Sequence, residues 1–169
     1  MRSKPLVPYH PSMRAEVLPV VASHLREPTP QGALALLDSY LGNLRRRLFV
    51  LFDDQSGAVA GIVGLTVACP LAVTDPARVE ISDLTVAPGR GSEIGQLLVS
   101  SLPTVFPCRE ILAEADEGSV DFFRRLGFVC DGPGEGEAHR YRCYIRLPEA
   151  VAASATQPEI EAARGVWRS

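Results

Sequence analysis

Along the first third of the chain, apolar residues return at steps of three and four; from residue 48 onward they alternate or run together. Val17, Leu18, Val21 and Leu25 share one side of a helix that Pro11 and Ser12 introduce, although Pro19 lies within it and leaves its start open. After Pro28-Thr29-Pro30, Leu34, Leu37, Leu41, Leu44 and Leu48 predict a second amphipathic helix. It closes on Arg45, Arg46 and Arg47, where the helix dipole favours cations, and that run reads as a solvated helix end. A hairpin follows, with strands over 48–52 and 58–67 about a turn at 53–57. Gly61 and Gly64 in the return strand mark a bulge or a close backbone approach.

Beyond a loop at 70–78, a strand over 79–86 is broken by Pro88-Gly89-Arg90-Gly91. Ile94, Leu97, Leu98 and Leu102 then have helical spacing, with Pro103 as the stop. A strand at 111–115, a helix at 119–126 with Gly127 as its C-cap, and strands near 128–130 and 141–147 complete the pattern. This mixed order predicts an α+β fold: a partly antiparallel central sheet flanked by about four helices. Residues 148–169, rich in Ala, Glu and Ser, read as a mobile tail behind a single domain over 1–147.

Composition narrows the function. The 169 residues are 46% apolar and 22% charged, which is one soluble domain and excludes wholesale disorder. With 17 basic against 20 acidic residues, no net positive field exists to hold a nucleic acid. Cys69, Cys108, Cys130 and Cys143 form no CxxC pair and no ligand spacing with His10, His24 or His139. Neither zinc nor a disulfide framework is expected, and the cysteines read as buried free thiols in a reducing compartment. The first ten residues lack an apolar signal core and no run is long enough to span a membrane, so the expectation is a cytoplasmic protein.

The chemistry gathers in two segments. In 79–98 a strand runs through a Gly/Arg turn straight into a helix, exposing backbone N–H groups at the positive helix end. Such a turn can seat a pyrophosphate: Gly91 and Gly95 let phosphate oxygens approach the main chain, and Arg90 adds charge. It is also ordinary chain punctuation when it stands alone. The second segment is Asp116-Glu117-Gly118-Ser119-Val120-Asp121-Phe122-Phe123-Arg124-Arg125-Leu126-Gly127-Phe128.

Together, in this order, the segments resemble the GNAT superfamily of acyl-CoA-dependent N-acetyltransferases. Val86 and Pro88 match its Val-x-Pro element, Arg90 and Gly95 the ends of its pyrophosphate loop, and Phe122, Gly127 and Phe128 its later aromatic stretch. The element order fits across roughly residues 5–147. The resemblance implies a GNAT-like sheet, acetyl-CoA as co-substrate, no metal, and transfer to a primary amine of a small molecule or peptide by direct attack. It further implies cofactor contacts from Leu84, Thr85, Val86, Arg90, Gly91, Ser92, Glu93, Ile94, Gly95, Gln96, Asp116, Phe122 and Phe123. No nucleic acid or membrane partner is implied, and the tail with Trp167 offers one contact through which a homodimer could form.

Several positions depart from the family pattern. Glu93 replaces the middle glycine of a loop one residue short, Asp116 replaces Asn, and Ser119 replaces Ala. Phe123 stands where many members carry the tyrosine that protonates the leaving thiolate; Tyr141, Tyr144 and Ser119 are substitutes of the right chemistry. Glu80 is at the position where several members place their general base. Strict alternation would put Ser82, Leu84 and Val86 on its face and Asp83 on the opposite one, making Glu80 and Ser82 the catalytic candidates. A strand-end carboxylate is equally read as a solvated side chain. The alternative function is a catalytically degenerate acyl-CoA-binding sensor or interaction module, with a purely structural subunit as a third reading.

Overall fold

The computed structural model describes residues 6–68, 77–132 and 139–148. A two-residue strand, β1 (Val7–Pro8), and a 3-10 turn (Pro11–Met13) lead into α1 (Arg14–His24) and α2 (Pro30–Leu41). Then come β2 (Arg46–Phe52), β3 (Val59–Ala68), β4 (Ala77–Val86), α3 (Ser92–Val105), β5 (Cys108–Ala115), α4 (Val120–Arg125), β6 (Val129–Asp131) and β7 (Tyr141–Arg146). They build one seven-stranded sheet in the order β1-β2-β3-β4-β5-β7-β6. Every pairing is antiparallel except β4 with β5, which α3 connects as a crossover. The fold is the α+β arrangement that the sequence predicts, with β1 the strand too short for a pattern to reveal.

Two apolar clusters sandwich the sheet. On one face Val17, Val20 and Val21 of α1 and Ala33, Leu37 and Tyr40 of α2 pack on Leu48, Val50 and Ile62. On the other, Leu98, Val99 and Leu102 of α3 and Val120 and Phe123 of α4 pack on Phe49, Leu51, Val63, Leu65, Val79 and Ile81. Both internal prolines are accommodated: Pro19 inside α1 and Pro103 in the last turn of α3. The second helix is shorter than its leucine spacing suggests. It stops at Leu41 with Gly42 as C-cap, Leu44 is 85% exposed, and Arg46 and Arg47 open β2 rather than close a helix.

The cysteines also correct the expectation. Cys130 of β6 and Cys143 of β7 are register partners and form a disulfide, stapling the short edge strand to its neighbour. Cys108 is a buried free thiol whose pKa burial pushes up to about 11. Cys69, the 70–76 loop, most of the 132–136 turn and the tail from 149, Trp167 included, lie outside the described residues. Among the described residues no helix is long and apolar enough to cross a membrane.

Leu98, fully buried against Gly61, ties α3 to the sheet: a Cβ on Gly61 would come 2.8 Å from Leu98 Cδ1. Leu98→Ala is expected to lower stability by ~2–5 kcal/mol in urea unfolding. A loss well below that range would mean that α3 does not bear on the core here.

Candidate functional site

A site forms where β4 loses its second neighbour. The parallel ladder between β4 and β5 runs from Ala77↔Cys108 to Ile81↔Ala113 and ends there. Yet β4 continues to Val86 and β5 to Ala115. Over 83–86, β4 stays paired with β3 on one side, while on the other, where a gap begins, its ladder with β5 has ended. The backbone groups aimed into such a gap lack a ladder and must find another partner, which is what a bound amide-containing ligand provides.

The gap coincides with a bulge. Gly64 pairs with Asp83 and Leu65 with Ile81, so Ser82 is the extra residue on β4. This resets the alternation and corrects the sequence reading. Leu84 and Val86 join Val79 and Ile81 on the α3/α4 face. Glu80, Ser82, Asp83 and Thr85 instead share the α1/α2 side: Ser82 Oγ is 2.6 Å from Thr66 Oγ1, Thr66 is Glu80's register partner, and Thr85 pairs with Ile62 of the α1/α2 core. Asp83 therefore lies on Glu80's face, not opposite it.

Glu80 stands one residue before the ladder ends, in a cross-strand row with Thr66, Leu112 and Tyr144. It is half-buried, and among the described residues it makes no hydrogen bond or ion pair. Leu112 and Tyr144 are half-buried and belong to neither core cluster, so they floor an uncovered strip beside the carboxylate. Thr85 is buried with its Oγ1 unpartnered among the described residues.

Asp83 is as engaged as Glu80 is free. Tyr40 Oη donates to its Oδ2, Arg46 Nη2 lies 3.2 Å from the same oxygen, and His24 Nε2 lies 3.5 Å from Oδ1. Arg46 stacks 4.0 Å above the Tyr40 ring and donates to Ser39 Oγ at 2.5 Å. Gly64 makes this possible, because any Cβ there would overlap the Tyr40 hydroxyl. Burial alone would raise the Asp83 pKa, but His24, Tyr40 and Arg46 outweigh it and hold the carboxyl below its usual value. Burial first, then Asp83, pushes the Tyr40 phenol far upward, so it remains a donor. Sequence reasoning misses His24 and Arg46; a glycine inside a strand is the one visible sign.

At the mouth of the gap, Gly89 adopts φ +79° and Gly91 caps α3. Gly95 is buried where α3, α4 and β4 meet: a Cβ would come 3.3 Å from Phe122 Cε2 and 3.6 Å from Val86 Cγ2. Val86, Gly95 and Phe122 are thus brought together, with Ile94 packed half-buried on the same core and Gln96 half-buried beside it in sequence. Ser92 begins the helix, exposed. Arg90 is engaged by Asp53 of the β2–β3 turn, its Nη1 2.8 Å from Asp53 Oδ2. Asp53 also accepts from Ser56 and Gln55, and these bonds with Arg90 depress its pKa to about 2. Glu93 folds its exposed carboxylate back over Gly91, occupying the space a Cβ would fill.

The second segment is placed differently. Asp116 accepts from the backbone and hydroxyl of Ser119 at 2.8 and 2.6 Å, and Ser119 Oγ accepts from Asp116 N, so the pair fixes the turn into α4. Phe123 is buried in the core, edge-on to Phe122 and Phe128 with centroids at 5.1 and 5.3 Å. Tyr141 lies under Arg124, whose Cζ is 5.7 Å from the ring.

Because its folded-state pKa is depressed, Asp83 contributes stability that is fully present above the ordinary 3.8 and is lost as pH falls through the lower folded value. The stability gap between wild type and Asp83→Asn in urea unfolding is expected to narrow from about pH 6 to pH 3. A gap constant over that range would contradict an ionised Asp83 at the centre of the cluster.

No protein-family model matches the sequence, and no curated protein matches it. Solved structures do. An acetyltransferase from Thermus thermophilus superposes with TM-score 0.64 at 19% identity, over 84% of this chain and 96% of that one. A Desulfovibrio desulfuricans protein described as an acetyltransferase of the GNAT family gives 0.60 at 17%, over 84% and 96%. A chain of a NatC complex bound to Gag peptide and CoA gives 0.56 at 17%, over 86% and 100%. At such identities the likeness is one of architecture: the chain has the fold of the GNAT acetyltransferases.

Proposed function

We propose that the protein is an acyl-CoA N-acyltransferase that moves an acetyl group from acetyl-CoA to a primary amine of a small molecule or peptide. The observation that carries this reading is the end of the β4–β5 ladder at Ile81↔Ala113, while β4 runs on to Val86 and the N-terminus of α3 follows at Ser92. An extended pantetheine arm laid along 82–86 brings a diphosphate to the main-chain amides after Gly91 and a thioester to the bulge at Ser82. Leu84, Thr85 and Val86 line that path, Gly95 and Phe122 border it, and Ser92, Ile94 and Gln96 follow the phosphate seat.

Two side chains stand over this seat. Glu93 must turn away for a diphosphate to settle, and as the free end of an exposed side chain it can do so at small cost. Arg90 would exchange one oxygen anion for another in leaving Asp53. Asp116 and Phe123 are withdrawn from the cofactor in this reading: one fixes a turn and the other fills the core. Removing the like charge by Glu93→Gln is expected to tighten acetyl-CoA binding about threefold to tenfold in isothermal titration. Weaker binding would mean that the carboxylate supports the loop.

The chemistry then follows the row on the α1/α2 face. Glu80, unpaired among the described residues and one residue before the ladder ends, takes the proton from the attacking nitrogen as the C–N bond forms. Ser82, bonded to Thr66, holds the bulge open beside it. Backbone donors of the unpaired edge are fixed in place for the developing oxyanion, which is usually the largest electrostatic contribution. With Phe123 unable to donate, the thiolate is protonated from solvent; thiols are acidic enough, with pKa about 8.5, to leave unaided. Spectrophotometric thiol release with a panel of primary amines tests the reading. Glu80→Gln should lower kcat by about 10²–10⁴ with acetyl-CoA affinity unchanged. Tight binding with no release from wild type would favour a catalytically degenerate sensor.

A further inference from the structure

Converting an alkylammonium into an amide takes two protons from nitrogen, one before attack and one as the adduct forms. Glu80 serves the second. The first is harder: the ammonium pKa is about 10 and that of an ordinary carboxylate about 4.3, so a carboxylate is a poor match for it. A group titrating nearer neutrality is better suited.

The structure holds one on the same face. His24 closes α1, its side chain 39% exposed, and turns Nε2 toward Asp83 Oδ1 at 3.5 Å. Asp83 is 11% exposed and pinned from behind by Tyr40 of α2 and Arg46 of β2. A buried, oriented carboxylate against one ring nitrogen favours the Nε2–H tautomer, which keeps the basic lone pair on Nδ1. Asp83 adjoins the bulged Ser82, where the gap begins. We propose that His24 is a second catalytic base, held by Asp83 as positioning residue, which takes the first proton from the arriving ammonium before Glu80 assists its attack.

This rests on the acetyltransferase reading. The balance is simple: R–NH3+ gives a proton to His24 Nδ1, the free amine attacks the thioester carbon, Glu80 takes the second proton, and the adduct expels CoA thiolate. One proton ends on the thiol and one in solvent. The charges facing the imidazole come from Asp83, backed by Tyr40 and Arg46; on α1 itself Arg14 and Glu16 lie at the far end, and Arg26 and Glu27 are exposed in the turn that follows. Hydrogen bonding to Asp83 first, and then its charge, raise the His24 pKa above 6.5 against partial burial.

The test compares His24→Asn, Glu80→Gln and wild type across pH with an alkylamine, and at pH 7 with 2,2,2-trifluoroethylamine, an amine already uncharged there. For His24→Asn, kcat/KM with the alkylamine should fall at least about tenfold at pH 7 and recover as pH approaches the amine's own pKa. With trifluoroethylamine it should stay within about twofold of wild type. Glu80→Gln should be recovered by neither. NMR titration of His24 should show its pKa drop in Asp83→Asn and, where that variant is unstable, in Asp83→Ser, both of which remove the carboxylate. An active wild type whose His24→Asn variant keeps its rate at pH 7, or loses both amines equally, overturns the assignment. So does a His24 titration indifferent to Asp83. A wild type that releases thiol with no amine overturns the acetyltransferase reading itself.

Discussion

A strand in the middle of a sheet ordinarily satisfies its backbone on both sides. Here β4 does so only as far as Ile81; beyond the bulged Ser82, the four residues 83–86 are paired with β3 alone. This is the constraint on which the rest depends. Unpaired amides and carbonyls at the centre of a domain are costly unless something binds them. Three features surround this edge: α3 crosses over from β4 to β5, the Ser82 bulge interrupts the register of β4, and β7 pairs with the opposite edge of β5 through Ala115.

The bulge has a second consequence. By inserting one residue it gathers Glu80, Ser82, Asp83 and Thr85 on the side covered by α1 and α2, while Leu84 and Val86 stay with the α3/α4 core. One face is therefore apolar, and the other carries the tightly bonded Asp83 carboxylate and that of Glu80, unpartnered among the described residues. Gly64 is part of the same device, since only a residue without a Cβ lets the Tyr40 hydroxyl cross β3 to Asp83. Sequence, bulge and charge distribution form one chain of cause.

Much of the scaffold is legible in the sequence because it rests on periodicity. The α3 stripe of Ile94, Leu98 and Leu102 and the β4 pattern about Val79 and Ile81 name their own burial. Elements with no such repeat are hidden or misleading. Leu44 and Leu48 continue the spacing of α2 past its end, because a leucine in a turn keeps the same interval as one in a helix. Arg46 consequently looks like a helix-end cation instead of a partner of Asp83. The disulfide escapes because register between Cys130 and Cys143 is a property of β6 and β7 together. The bulge escapes for the same reason: it exists only relative to β3, and one unseen residue reverses the face expected for Asp83. In the candidate site, the glycine turn and Glu80 are readable as residue types in order. His24, far away in sequence from the strand it meets, is not.

The open edge of β4 is central as a ligand's seat. Hydrogen exchange of the amides at 82–86, followed by NMR or mass spectrometry with and without saturating acetyl-CoA, examines this edge directly. Those of the amides that are not bonded to β3 should exchange readily in the free chain and slow about tenfold or more on addition of acetyl-CoA, with β2 unaffected. Exchange of these amides that is already slow, or that acetyl-CoA leaves unchanged, would contradict it.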